Sequence, residues 1–297
     1  MFRSFALTTM AWVALSGLFP VAATGAPVEP QTAFSKIDLR VPSTHEIQRL
    51  TLTDGSTLYG SVESIADDSI TFRTLADTVL TISRSNLRDL RVVSGHLVHG
   101  ELRPRDPQQT RLFFGPTAKS LEHGDAYAGL YYCHVPFVQV GVTDRFSIGG
   151  GSPILVSLLT GEFGIWSTPK LQVVSGDRVQ MAIGSISTIG DGPDVGLFYG
   201  VSTIGGPDRS ASIGLGHGYH GANGLVVMAG AEARTSRRVK WMTENWFTPD
   251  GKGVFGGGFR LLGERFSADV GLMLVVDRDE PHISALPLPV FGVAWHF

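Results

Sequence analysis

The chain has 297 residues, which is long enough for one large domain or two small ones. Hydrophobic residues make up 43% of it and charged residues only 17%, below the roughly 25% of ordinary soluble domains. The formal net charge of -3 excludes the basic balance typical of nucleic-acid-binding proteins, and the single cysteine, Cys133, excludes an intramolecular disulfide framework and a cysteine-based metal cluster.

The N-terminus has the pattern of a secretory signal peptide over residues 1–26. Arg3 precedes an apolar stretch, and small residues follow it up to Ala26. A membrane anchor is the alternative, but Pro20 and the small-residue tail argue against it. The rest of the chain has no apolar run of about 20 residues, the length of a transmembrane helix. We therefore expect an exported chain that can cross a membrane only with strands.

Residues 45–95 contain short alternating runs that predict four or five strands. Asp54-Gly55 and Ala66-Asp67-Asp68 have the chemistry of tight β-turns. The phrase LTLTDGSTLYGSVESI, residues 50–65, resembles the opening of small SH3-like or Sm-like β-barrels. The resemblance implies such a small barrel. We expect this domain in the periplasm, with a periplasmic protein as its candidate partner. RNA binding is not expected, because the segment has no basic-aromatic platform.

Residues 96–123 are polar and contain proline, and we interpret them as a linker. Within them, the phrase RLFFGPTAKSL, residues 111–121, either adds a strand to the following domain or lies inside it.

From residue 124 to residue 297, a short turn recurs five times with an arginine beside each copy. Successive arginines are 28 to 33 residues apart, which fits two membrane-crossing strands of about 9–11 residues, one tight turn and one loop. We expect these arginines at the level of the periplasmic headgroups; the alternative is that they only keep the turns soluble. They are Arg145, Arg178, Arg209, Arg237 and Arg265.

Apolar residues alternate with small or polar residues in each predicted strand. In a β-sandwich the apolar face would pack on a second sheet, whereas in an outer-membrane barrel it contacts lipid and the other face lines the lumen. Charges on the small-residue face favour the barrel, because a sandwich core does not accept them. Their mixed signs predict a salt-bridge network that partly fills the lumen. The predicted lumen-facing charges are Lys170, Glu232, Arg234, Lys240, Glu244, Arg260 and Asp269.

The chain ends in PVFGVAWHF, an alternating strand that closes on an aromatic residue. This ending resembles the assembly signal of bacterial outer-membrane β-barrel proteins, carried here by Phe291, Trp295 and Phe297. The phrases GVTDRFSIGGG and TENW also resemble segments of a porin-like outer-membrane family. The resemblance implies an all-β protein in the bacterial outer membrane, with outer-membrane lipids and the barrel-assembly machinery as partners. We expect no cofactor and, from the net charge, no nucleic-acid partner.

The turns also predict the number of strands. Ten strands flank the five turns, one more lies near residues 126–133, and a last one lies near residues 288–297, which makes twelve. Ten or fourteen strands stay open. Both ends of the predicted barrel, residues 124–297, then lie on the periplasmic, short-turn side.

Three functions are compatible with this sequence. The first is a small channel or passive transporter, and the second is a structural or binding barrel with a plugged lumen that anchors the periplasmic domain. The third is a barrel lipid hydrolase using His217, His220 and Asn223, but no serine is placed to serve them as nucleophile. We therefore predict no catalytic residue and no metal site.

Overall fold

The computed structural model describes residues 39–42, 46–93, 95–98, 101–191, 195–219, 224–277 and 284–297. The expected signal peptide, His220 and Asn223 lie outside these residues. The described chain separates into two compact units between Arg105 and Asp106. In these residues, no helix is both long enough and apolar enough to cross a membrane.

The first unit contains a five-stranded antiparallel sheet in the order β4-β3-β2-β1-β5. Its strands are β1 (Ile47–Leu52), β2 (Thr57–Ile65), β3 (Ser69–Thr74), β4 (Val79–Ser83) and β5 (Leu87–Val93). Gly55, with a φ of 89°, makes the predicted tight turn between β1 and β2. Alternate residues such as Leu50, Ile70 and Phe72 are buried in its core. The small antiparallel sheet is confirmed, and its resemblance to SH3-like or Sm-like barrels stays a prediction.

A pair of short strands, β6 (Gly95–Val98) and β7 (Glu101–Pro104), forms a separate two-stranded sheet after β5.

The second unit is built around a large antiparallel sheet. Its strands are β8 (Ala126–Tyr131), β9 (Val135–Gly141), β10 (Phe146–Gly151), β11 (Gly164–Ser167), β12 (Lys170–Ser175), β13 (Val179–Gly190), β14 (Gly196–Gly205), β15 (Arg209–Tyr219), β16 (Gly224–Arg234), β17 (Val239–Phe247), β18 (Gly253–Leu262), β19 (Phe266–Asp277) and β20 (Ser284–His296). A short helix, α1 (Ile154–Thr160), lies between β10 and β11.

This sheet closes on itself. The last strand, β20, pairs with the first, β8, from Gly292 opposite Tyr131 to His296 opposite Tyr127. The strands β11 and β12 share one position, because both pair with β10 on one side and β13 on the other. Thirteen strands therefore form twelve positions, which confirms the predicted closed twelve-stranded barrel.

Side chains alternate between the two faces of the barrel wall as the sequence predicts. In β15, Ile213 and Leu215 are 60% and 57% exposed, whereas Ser212 on the opposite face of the same strand is 5% exposed. The same alternation holds in β20, where Phe291 and Trp295 are about half exposed and Ala294 is buried. The outer face is therefore a continuous belt of apolar and aromatic side chains.

Residues 106–121, which we call the inner segment, lie inside the barrel. The Thr117 N–H donates to the Thr110 carbonyl at 3.0 Å, and the Leu112 N–H donates to the Gly115 carbonyl at 2.8 Å, so the segment folds as a hairpin with its tip at residues 112–115. Leu112 and Phe113 at this tip have no exposed surface. The inner segment is therefore not part of the linker predicted for residues 96–123. Its polar groups bind polar side chains of the barrel wall, whereas those of a linker would be exposed to water.

Candidate functional site: the barrel interior

All seven predicted lumen-facing charges are buried inside the barrel. Their exposed fractions range from 0% to 4%. They are Lys170, Glu232, Arg234, Lys240, Glu244, Arg260 and Asp269. Six of the seven contact the inner segment, and the exception, Arg234, lies 3.7 Å from Asp208.

Charges of alternating sign run across the lumen as one chain. The Lys240 ammonium lies 2.7 Å from an Asp106 oxygen and 3.1 Å from a Glu232 oxygen. At one end Glu232 also binds the ammonium of Lys119, and at the other end Asp106 lies 3.1 Å from the Arg260 guanidinium. The order along the chain is Lys119, Glu232, Lys240, Asp106, Arg260 and Asp269. Since every member meets an opposite charge, their burial is compensated.

Arg260 holds the backbone of the inner segment. Its Nε and Nη2 donate to the two Asp269 oxygens at 2.6 and 3.0 Å, a two-pronged contact that fixes the guanidinium plane. The remaining donors reach the carbonyl of Leu112 at 2.7 Å and that of Gln108 at 3.0 Å. A wall residue of β18 therefore satisfies carbonyl groups that the hairpin leaves without partners in the interior.

Lys170 and Glu244 hold the inner segment in complementary ways. Lys170 donates its three ammonium hydrogens to the carbonyls of Thr110, Thr117 and Lys119, at 2.9, 3.0 and 2.6 Å. Glu244 accepts the N–H groups of the tip residues 113 and 114 at 2.8 and 3.0 Å. Its other oxygen accepts the indole N–H of Trp246 at 2.8 Å. One side chain thus binds carbonyls and the other binds N–H groups.

Inward-facing glycines make room for the tip of the inner segment. A Cβ on Gly230 would lie 2.3 Å from Leu112 Cδ1, and a Cβ on Gly271 would lie 2.9 Å from Phe113 Cζ. Both distances are shorter than van der Waals contact. Glycine at these two wall positions is therefore a condition for the tip to occupy the lumen.

Above the tip, toward the end of the barrel opposite the short turns, lies a cavity of about 490 Å³. Its floor is formed by four residues of the inner segment, Thr110, Arg111, Phe114 and Pro116. Its sides are mainly apolar and aromatic and include Trp166, Leu197, Trp246, Val275 and Leu288, and the charged residues Lys170, Lys252 and Asp277 also line it. As far as the described residues show, the lumen is therefore polar and filled on the short-turn side, and mainly apolar and hollow on the loop side.

The partners inside the network agree only in part with the expected ones. Lys240 and Glu244 share a face of β17, and Glu232 and Arg234 share a face of β16, so the sequence suggests pairing among these four. Lys240 forms the expected cross-strand pair with Glu232 and also pairs with Asp106, while Glu244 binds backbone of the inner segment. Asp106, Arg111 and Lys119 were not predicted as interior charges. The sequence signal for such partners is weak. It consists of the four lumen-facing charges on β16 and β17, which are too many to be explained by neighbours on the same two strands.

The other predicted residues lie on the outside of the barrel. Four of the turn arginines, Arg145, Arg178, Arg209 and Arg265, are exposed beside the short turns, and Arg237 is partly exposed. Phe297 is 73% exposed at the end of the chain. His217 is exposed on the outward face of β15, and no group of three or more His, Cys, Asp and Glu side chains within the described ranges has the arrangement of a metal site.

Neither a protein family nor a curated protein matches the sequence. Among solved structures, the KdgM porin aligns with a TM-score of 0.44 at 9% identity and covers 58% of this chain and 98% of that one. The NanC porin covers the same shares at 9% identity with a TM-score of 0.41. The outer-membrane protein OmpT of Vibrio cholerae covers 85% of this chain and 95% of that one at 9% identity, with a TM-score of 0.29.

Proposed function

We propose that this chain is an outer-membrane β-barrel protein whose passage is closed by its own inner segment. The observation that carries the proposal is the double anchoring of that segment: Lys170 binds three of its carbonyls, and Glu244 binds two of its N–H groups. A segment held by buried charges from opposite parts of the wall blocks the lumen at the level of the alternating charges. A plugged barrel that anchors the N-terminal unit is therefore favoured over an open channel.

The outer face supports a lipid environment. Closed barrels leave no unpaired edge, and an apolar belt with aromatic residues is the surface that hydrocarbon requires. The exposed Phe291 and Trp295 belong to this belt. Both ends of the second unit lie on the short-turn side, where bacterial barrels face the periplasm. We place the N-terminal unit in the periplasm on this ground and assign the export to the signal peptide.

Location can be tested by membrane fractionation of cells that express the full chain. The mature protein is expected in the outer membrane, and boiling is expected to shift its mobility in a gel, because unboiled barrels stay folded in detergent. Recovery as a soluble periplasmic monomer would contradict the proposal.

Conductance decides between the plugged barrel and the channel. Purified protein in a planar bilayer is expected to show no stable conductance steps. The double variant Lys170→Met/Glu244→Gln loses both backbone anchors and is expected to show steps, provided that its gel mobility still depends on heating. Lys252→Met, at the loop end, is the matched control and is expected to stay silent. Stable open steps from the unchanged protein would show that the inner segment does not close the barrel.

A further inference from the structure

The cavity on the loop side has the chemistry of a binding site for an apolar chain. Its volume of about 490 Å³ lies within the roughly 300–1,000 Å³ of small-molecule pockets. Its sides include two tryptophans, Trp166 and Trp246, and aliphatic residues such as Leu197 and Leu288. Water gains few hydrogen bonds against such walls, so displacement of water by hydrocarbon is favourable.

One charged side chain stands at the floor of this cavity. Arg111 is 8% exposed, and its guanidinium carbon lies 4.9 Å from the ring centre of Tyr131 and 4.8 Å from that of Phe137. These two rings hold the guanidinium plane in place. Its Nη1 donates to the Phe113 carbonyl and lies 3.6 Å from an Asp269 oxygen.

The opposite edge of the same guanidinium has donors without acceptors. Arg111 Nε and Nη2 are buried, and neither has a hydrogen-bond partner. These two nitrogens form the side-on fork that matches the two oxygens of a carboxylate. The nearest wall carboxylate, Asp269, is already held by Arg260 through both of its oxygens.

The interior also carries one cation more than it has carboxylates. Among the described residues of the second unit, six cationic side chains and four carboxylates are buried, and the less buried Asp208 pairs with the sixth cation, Arg234. Lys170 donates to backbone carbonyls, which do not neutralise it. A monoanion bound in the interior would therefore not meet an excess of buried carboxylates.

We propose that the cavity binds a single-chain carboxylate amphiphile, with the hydrocarbon chain against Leu197, Val275 and Leu288 and the carboxylate on Nε and Nη2 of Arg111. Because both nitrogens are buried, binding of the carboxylate requires side chains around the guanidinium to move. The site needs the inner segment in place, because that segment supplies Arg111 and the floor. It goes beyond closure of the lumen, which conductance tests separately.

The test uses ω-bromododecanoate, whose bromine quenches tryptophan fluorescence, and ω-bromododecanol as its uncharged match. The full chain is reconstituted in phosphatidylcholine nanodiscs, and quenching is titrated against probe concentration. The outward tryptophans Trp241 and Trp295 give a lipid background that is the same in every variant. Arg111→Gln removes the charge at the floor, and Val275→Phe fills the cavity without touching that charge. Heat-dependent gel mobility checks that each variant remains a folded barrel.

Saturable quenching above the lipid background is expected, with the carboxylate binding about tenfold more tightly than the alcohol. Arg111→Gln is expected to remove this preference, and Val275→Phe to weaken both probes. Quenching that never exceeds the background, or that Val275→Phe leaves unchanged, would overturn the cavity as the site. A preference for the carboxylate that survives in Arg111→Gln would overturn the role of Arg111. Loss of binding together with silent conductance would reject the site and leave the closed barrel standing.

Discussion

The ammonium of Lys240 lies 2.7 Å from a carboxylate oxygen of Asp106, although the two residues are 134 positions apart in the chain. The contact joins a wall strand to a segment that precedes the first strand of the barrel. Both side chains are nearly inaccessible, with 1% and 4% of their surface exposed. If one of the two charges is removed, water therefore cannot reach the other to solvate it.

The first prediction concerns the loss of this ammonium. Lys240→Met leaves two buried carboxylates, Asp106 and Glu232, without their shared cation, and the free energy of unfolding is expected to fall by about 3–5 kcal/mol. Urea unfolding followed by tryptophan fluorescence measures the change. Lys252→Met, whose ammonium lies 3.8 Å from Asp277 in a more exposed pair, is expected to cost less than about 1 kcal/mol. Equal costs for the two variants would argue against the interior network.

The second prediction compares two acidic residues. Glu244→Gln loses a charged acceptor for two buried N–H groups, so we expect a loss of about 1–3 kcal/mol in unfolding free energy. Asp250→Asn, in the turn between β17 and β18, is expected to change stability by about 0.5 kcal/mol or less. The same urea titration measures both variants. The role of Glu244 as an anchor is excluded if its substitution is as silent as that at Asp250.

The third prediction tests the fit between the wall and the tip. Leucine at Gly271 would overlap Phe113, so Gly271→Leu is expected to drive the tip out of its position. The measurement is maleimide labelling of Leu112→Cys, which leaves Phe113 in place, in a Cys133→Ser background; labelling is expected to be at least about tenfold faster with leucine at 271. Gly257→Leu is the matched control, since a Cβ there meets no atom closer than 3.9 Å. Similar rates in both variants would mean that the tip does not depend on the glycine.

The fourth prediction is a pH dependence of the N-terminal unit. Burial raises the pKa of Asp89, but hydrogen bonds and charge from Arg49 and Arg91 outweigh burial and lower this pKa below its usual 3.8. The carboxylate therefore contributes stability above the unfolded pKa, and this contribution is lost as the pH falls through the folded pKa. Thermal unfolding of residues 39–105 between neutral and strongly acid pH measures the loss. Asp89→Asn is expected to flatten the acid limb of the curve, and an unchanged limb would assign it to other groups.

The fifth prediction concerns the last strand. Deletion of Phe297 removes one hydrogen bond, from its N–H to the Ala126 carbonyl at 2.9 Å, and part of the resemblance to an assembly signal. We expect slower or lower insertion into the outer membrane. Removal of residues 290–297 takes away all pairing with β8 and leaves an open edge in lipid, where each unpaired backbone group costs several kcal/mol. Heat-modifiable barrel is expected to be absent in this variant, and its presence would contradict closure by β20.

Much of the barrel wall was predictable from the sequence because its signals are local. A period of two places Phe266 outside and Ser267 inside without knowledge of any distant residue. The five turns are equally local, since Gly and Asp act on their own backbone angles. Counting these signals was therefore enough to predict twelve strand positions.

The inner segment was not predictable in the same way. Residues 106–121 have no period, and their polar and proline residues are as suitable for a linker as for a polar lumen. Their structure depends on Lys170, Glu244 and Arg260, which are 51 to 154 residues away from their partners in the segment. The face of each wall charge could be predicted, but its partner could not. For this reason Lys240 keeps the expected cross-strand link to Glu232 but also binds Asp106, and Glu244 binds the segment backbone instead of a wall charge.

The sequence separation also has a consequence for the order of assembly. The inner segment comes before every wall strand, yet the side chains that hold it belong to β12 and to β16–β19. Contacts of such separation form late, because the intervening chain loses its conformational freedom before they are gained. The inner segment must therefore stay solvated and without its final contacts until most wall strands have paired, and its polar sequence allows this. We therefore expect the wall to close around the inner segment during folding, with the interior salt bridges among the last contacts to form.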